Sequence, residues 1–140
     1  MTRNTSLYAG LALLSIYILF QACHSEQAIR TAQYAVNGQK LFTAHCQNCH
    51  GAKGEGLGKL YPALTDSISL VMHREQLPCI VKNGRSEMPP NPQLAPIEIA
   101  YVLTYIGNSF GNEMGIFTVE EVQKALAACD SFHNTTVLNR

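Results

Sequence analysis

The chain has 140 residues, 14% of them charged, and a formal net charge of zero. That length fits one small domain and hardly two. The balanced charge excludes the basic field a nucleic-acid binder needs, and a core this small would gain much stability from an enclosed cofactor.

The amino terminus reads apart from the rest. "MTRNT" carries one charge, Arg3, and Leu7 to Phe20 are uncharged. A basic start, an apolar stretch and small residues before a break form an export signal. The stretch is short against the roughly 20 apolar residues of a membrane span. It ends in "QAC", and this resembles a bacterial lipoprotein signal, with residues 1–22 removed and Cys23 lipidated as the new amino terminus. An uncleaved anchor and a plain cleaved signal stay open. All three put residues 24–140 outside the cytoplasm, and the first two tether them to the membrane facing the periplasm.

Residues 23–36 lack a clear apolar period and are expected to form a tether. A short helix is predicted from about Gly38 to Cys46, with Leu41, Phe42 and His45 on adjoining parts of one face. Gly51, Gly54, Gly56 and Gly58 make the next stretch a loop. An apolar run follows around Ile68 to Met72. "REQLPCIVKNG" suits a short helix with Pro78 near its start and Gly84 past its end. Pro89, Pro90, Pro92 and Pro96 mark a loop in which two prolines fix the chain beside Met88. The clearest helix starts near Pro96 and ends near Gly107, with Ile99, Val102, Leu103 and Ile106 as its apolar stripe. Thr118 and Glu121 have capping-box spacing and open a last helix, in which Val119, Val122, Leu126 and Cys129 share a face. No strand pattern and no repeat occurs. The expected fold class is all-α with long loops.

The chemistry sits in "AHCQNCHG". Zinc needs a second ligand pair, and none is present. A thioredoxin-like pair needs a βαβ setting, and strands are missing. Two thiols three residues apart can instead reach two vinyl groups on one porphyrin edge, and the histidine that follows can bind the iron. C-x-x-C-H is the attachment pattern of c-type haem. Cys46, Cys49 and His50 supply it, behind an export signal.

With "GQKLFTAHCQNCHG", "GKLYPAL", "KNGRSEMPP" and "IEIAYVLTYIGNSFG" in that order, residues 37–112 resemble a class I cytochrome c domain. The resemblance implies helices wrapped round one covalent haem c, with residues 113–140 as an added carboxy-terminal helical extension. It implies that Gly38 lets the first and last family helices touch, and that Phe42 meets Tyr105 at their crossing. It implies that the Pro62 carbonyl accepts a hydrogen bond from His50, fixing its tautomer. It also implies Met88 as sixth iron ligand, a soft thioether that raises the potential. Met72 and Met114 read as apolar fillers. His73 is the competing ligand and His45 a weaker one; His24 and His133 read as solvated.

Cys79 and Cys129 remain as an even pair in an oxidising compartment. Two separate buried thiols are the alternative. A disulfide between them would close a loop of about 50 residues, worth roughly 3–4 kcal/mol in the chain-entropy account.

The expected function is a mono-haem electron carrier between redox protein partners, or a subunit of a larger redox complex, rather than an enzyme. Lys53, Lys59, Lys82 and Arg85 form either a weak basic rim or ordinary solvated charge. A small-ligand sensor or peroxidase-like enzyme is the alternative. It would need an open or labile sixth position, and Arg85 and Glu87 are its only candidate distal groups.

Overall fold

The computed structural model describes residues 3–65 and 67–137. Some side chains near the two ends, those of Cys23, His24 and His133 among them, lie outside that description. Cys23 as a lipidation site, and the two histidines as solvated groups, therefore fall there too. Six helices are present and no strand among the described residues: α1 (Arg3–His45), α2 (Gln47–His50), α3 (Ser67–Met72), α4 (Leu77–Asn83), α5 (Pro96–Asn108) and α6 (Val119–Val137). The fold is all-α.

The chain divides into two units, Met1–Gln33 and Tyr34–Arg140. In the first, Leu11, Leu13, Leu14, Ile16, Tyr17 and Ile18 are each more than half exposed. Among the described residues no helix is long and apolar enough to cross a membrane.

Two helical elements depart from expectation. The helix predicted from about Gly38 already includes residues 23–36, the expected tether, because α1 runs unbroken through them to His45. The segment lacks an amphipathic period, but it holds no glycine or proline and is rich in Ala, Gln, Glu and Arg, all good helix formers. Local propensity is enough without a buried stripe. Ser67–Met72, expected only as an apolar run, is a helix with Leu70 buried.

The second unit packs α4, α5 and α6 against one another. α5 enters at Ala95, whose N–H donates to the Glu98 carboxylate (2.8 Å), with Pro96 in the first turn. Its stripe of Ile99, Val102, Leu103 and Ile106 is the centre of the core. Its last turn is held by Asn108, whose Nδ2 donates to the Thr104 and Gly115 carbonyls (2.7 and 2.8 Å). α6 starts on a complete capping box: Thr118 N–H donates to Glu121 Oε2 (2.8 Å) and Glu121 N–H to Thr118 Oγ1 (3.1 Å). Val122 and Cys129 on its inner face are buried.

The carboxy-terminal end of α1 crosses α5 at Gly38. A Cβ there would run into the Tyr101 carbonyl oxygen and lie 2.6 Å from Tyr105 Cβ. Hydrogen is the only side chain that lets the two backbones come this close. Around the crossing, Phe42 lies 5.5 Å from Tyr105 and 5.3 Å from Phe110, ring centre to ring centre, and Tyr34 meets Tyr101 edge-on at 4.7 Å. These are favourable aromatic separations, and they hold the end of α1, and so Cys46, at a fixed place.

Candidate functional site

From that fixed end the chain makes a turn of helix. Cys46 accepts the His50 N–H through its carbonyl (3.0 Å), and α2 stops at Gly51, whose N–H bonds the Gln47 carbonyl (2.8 Å). Cys46, Cys49 and His50 are thereby carried on one short turn. The glycine loop then folds back. Gly56 N–H donates to the His50 carbonyl (2.8 Å), Leu57 N–H to the Tyr61 carbonyl (2.7 Å) and Leu64 N–H to the Gly54 carbonyl (2.7 Å). Its far end is tied by Asn112, a buried residue whose Nδ2 donates to the Leu64 carbonyl (2.7 Å) and the Ile106 carbonyl (3.0 Å).

This fold-back brings Pro62 to His50. The imidazole Nδ1 lies 3.0 Å from the Pro62 carbonyl oxygen. A carbonyl only accepts, so Nδ1 carries the proton and Nε2 keeps its lone pair for a metal. The same bond fixes the ring's orientation as a ligand.

Between this loop, α3, α4 and α5 lies a cavity of about 370 Å³, within the range of small-molecule and cofactor sites, roughly 300–1,000 Å³. Cys46, Cys49, His50 and Pro62 border it on one segment and Met88 on another. Leu64, Leu70, Leu77, Ile80, Val81, Leu103 and Ile106 give it an apolar wall. His45 and His73 border it too, as do Lys59, Arg85 and Glu87. His73 has its own Nδ1 tied, to the Ser69 carbonyl at 2.8 Å, which likewise leaves Nε2 available. Met72 is 77% exposed and Met114 packs beside Gly107, and neither borders the cavity.

Met88 is positioned by a tight reversal. Arg85 N–H donates to the Met88 carbonyl (3.1 Å) and Met88 N–H to the Arg85 carbonyl (2.9 Å), with Ser86 at φ 52° between them. α4 supports this reversal from behind. Lys82 Nζ donates to the Pro92 and Leu94 carbonyls (2.7 and 2.8 Å), and Asn91 Nδ2 to the Val81 carbonyl (3.2 Å).

The setting of Cys46 disfavours its thiolate. Burial, with Cys49 beside it as the lesser cause, pushes the Cys46 thiol up from 9.0 to about 11. Redox-active cysteines shift the other way. No group of three or more His, Cys, Asp or Glu residues arranged to hold a metal ion occurs among the described residues. Cys79 and Cys129 lie away from the cavity, with their sulfurs 2.08 Å apart and their Cα atoms 5.6 Å apart.

Some residues that shape the site carry no local signal. Asn112, Asn91 and Lys82 act through backbone carbonyls, each with a partner 10 or more residues away. Only the tertiary path reveals those pairings.

A paired-thiol turn, a histidine with one nitrogen tied to a proline carbonyl, and an apolar cavity inside a helical fold define a c-type cytochrome domain. The sequence model of the family described as cytochrome c oxidase, cbb3-type, subunit III, matches residues 33–106, more than half of the chain, and the chain belongs to that family. Its cofactor is covalent haem c with iron. No curated protein matches the chain. The cavity fits the group: thiols for attachment, an imidazole with Nε2 free, and a wall of leucine, isoleucine and valine.

Proposed function

We propose that this protein is a single-haem electron carrier acting outside the cytoplasm, with its iron held by His50 and Met88. The observation that carries the reading is the His50 Nδ1–Pro62 bond, made at a cavity that Met88 also borders. Haem c supplies a one-electron iron couple. Cys46 and Cys49 supply the thioether sulfurs. Pro62 holds the imidazole in the tautomer that ligates, and the Arg85–Met88 reversal presents the thioether. Held by both His50 and Met88, the iron would offer no site to a substrate, and the Met88 thioether would favour Fe(II) relative to a second histidine. The apolar wall keeps water from the ligands. The protein's partners are redox proteins, as donor and acceptor or as neighbours in an oxidase complex. The weak net charge of the chain supports short-range docking rather than long-range steering.

The "QAC" sequence supports lipidation at Cys23 and a membrane-tethered location facing the periplasm. The sulfur–sulfur bond between Cys79 and Cys129 fits the same oxidising compartment.

The experiment is the absorption spectrum of the purified oxidised protein, wild type beside Met88→Ala, before and after cyanide. A weak far-red methionine–iron(III) band in wild type, absent in the variant, with slow cyanide binding only in wild type, is the expected result. No such band and fast cyanide binding in both would overturn Met88 ligation and favour a ligand-binding haem. One observation favours a second ligand set: His73 borders the same cavity with Nε2 free. A wild type that lacks the band, binds cyanide slowly and loses that slowness in His73→Ala would assign the sixth position to His73.

A further inference from the structure

Residues beyond 112 lie outside the matched family segment, 33–106. They are nevertheless bonded to the elements that border the cavity: to α5 through Asn108 and Thr104, and at two points to the segment of α4 and the turn before it. Arg74, next to the cavity residue His73, donates through Nη1 to the Met114 carbonyl (2.8 Å) and through Nη2 to the Ile116 carbonyl (2.9 Å). The same guanidinium lies 3.9 Å from the centre of the buried Phe117 ring and 3.6 Å from Glu121. The second point is covalent. Cys79, in the middle of α4, is bonded to Cys129 of α6.

α4 has two working sides. Leu77, Ile80 and Val81 border the cavity. Val81 and Lys82 hold the loop that presents Met88, through Asn91 Nδ2 to the Val81 carbonyl, Asn91 N–H to the Lys82 carbonyl (3.1 Å), and Lys82 Nζ to the Pro92 and Leu94 carbonyls. At the helix end a Cβ on Gly84 would run into the Met88 carbonyl oxygen and lie 2.9 Å from Pro90 N. Bonded contacts therefore run from α6, through Cys79 and α4, to residues 91–94 that follow Met88, and the Arg85–Met88 pair closes the reversal just past the helix end.

We infer that residues 113–137 are a brace for the iron-ligand loop. Arg74 and the Cys79–Cys129 bond fix α4, and α4 fixes Met88 on the iron. Arg74, Cys79 and Cys129 are positioning residues, acting through α4 and touching no ligand atom. The inference rests on the proposed His50/Met88 ligation. Methionine dissociation is a local opening, and the free energy of such openings follows the contacts that the opening segment must break. Loosening the back of α4 lowers that cost without changing either ligand.

The test uses the full-length, haem-loaded protein. Cyanide binding to the oxidised form reports how often Met88 leaves, and the far-red band reports how much of it is bound. In Arg74→Ala, and separately in Cys79→Ser/Cys129→Ser, cyanide binding is expected to be faster by about tenfold or more, as for a lowered local opening cost. The band should fade at a lower temperature while helix content at room temperature is unchanged. Cyanide rates within twofold of wild type in both variants, whatever their melting temperatures, would overturn the brace and leave a purely stabilising extension.

If the cysteine variant does not fold, wild type serves. Carbon monoxide binding is measured on protein whose iron is reduced by ascorbate, which leaves the disulfide intact, and again after a dithiol. The dithiol gives two electrons and two protons to the disulfide, yielding two thiols, and is itself oxidised to a disulfide. Faster carbon monoxide binding after the dithiol is expected, and an equal rate would count against the brace. A wild type without the far-red band signals failure of the ligation reading instead, visible before any variant is compared.

Discussion

At Gly38 a single hydrogen stands where any other residue would place a carbon against the Tyr101 carbonyl and Tyr105 Cβ. Gly38→Ala must push α1 off α5. Forcing one extra carbon into a well-packed contact costs about 1–3 kcal/mol, and thermal unfolding of the haem-loaded protein should show that loss. A melting curve unchanged from wild type would mean the helices do not cross as closely as described. Ser86 carries the other residue-scale prediction. It sits at φ 52° inside the Arg85–Met88 reversal. A left-handed backbone costs an L-residue about 1–2 kcal/mol, and β-branched side chains tolerate it worst. Ser86→Val is therefore expected to weaken the loop, with the methionine–iron band fading at a lower temperature, while Ser86→Gly keeps it. Equal behaviour of the two variants would rule out backbone conformation as the control on Met88.

Among the elements, α6 depends on its first turn. Thr118 and Glu121 satisfy each other's backbone N–H groups there. Thr118→Ala should cost about 1 kcal/mol, the usual price of a lost cap, read from the denaturation midpoint. The hydrogen bond from Thr118 N–H, assisted by its hydroxyl and by Arg74, holds the Glu121 carboxyl below its ordinary 4.5 despite some opposing burial. A carboxyl lowered on folding stabilises the native state above its unfolded pKa. That contribution is lost as pH falls through the lower folded value. The start of α6 should thus loosen as pH falls below the ordinary glutamate value of 4.5. The carboxylate is about half exposed, so the effect is small, and Glu121→Gln should flatten the acid limb of the stability curve. An acid limb identical in wild type and Glu121→Gln would show that another group controls it.

For the whole molecule, the Cys79–Cys129 bond spans 50 residues of chain. Loop closure of that length restricts the unfolded state by roughly 3–4 kcal/mol in the chain-entropy account. Cys79→Ser/Cys129→Ser should unfold at a clearly lower denaturant concentration than wild type, with the difference vanishing when both are measured in a disulfide reductant. A difference that persists in reductant would place the effect in packing at the two sites. The bond matters at this scale because it joins an extension outside the family segment to a helix inside it.

Much of this protein was determined by its sequence alone, because the deciding interactions are short-range. The C-x-x-C-H turn is chemistry within five residues. The stripe of α5, the stop of α4 at Gly84 and the cap of α6 are set by neighbours three or four positions apart. Even the helical state of residues 23–36 is latent in local composition, although they show no apolar period. The tertiary structure decided what depends on contacts distant along the chain. It placed the Pro62 carbonyl on His50, brought Met88 and His73 to one cavity, and set Arg74 on carbonyls 40 and 42 residues away. Such pairs leave no periodic trace. A backbone carbonyl is the same acceptor in every residue, so only the path of the folded chain determines which one a side chain meets.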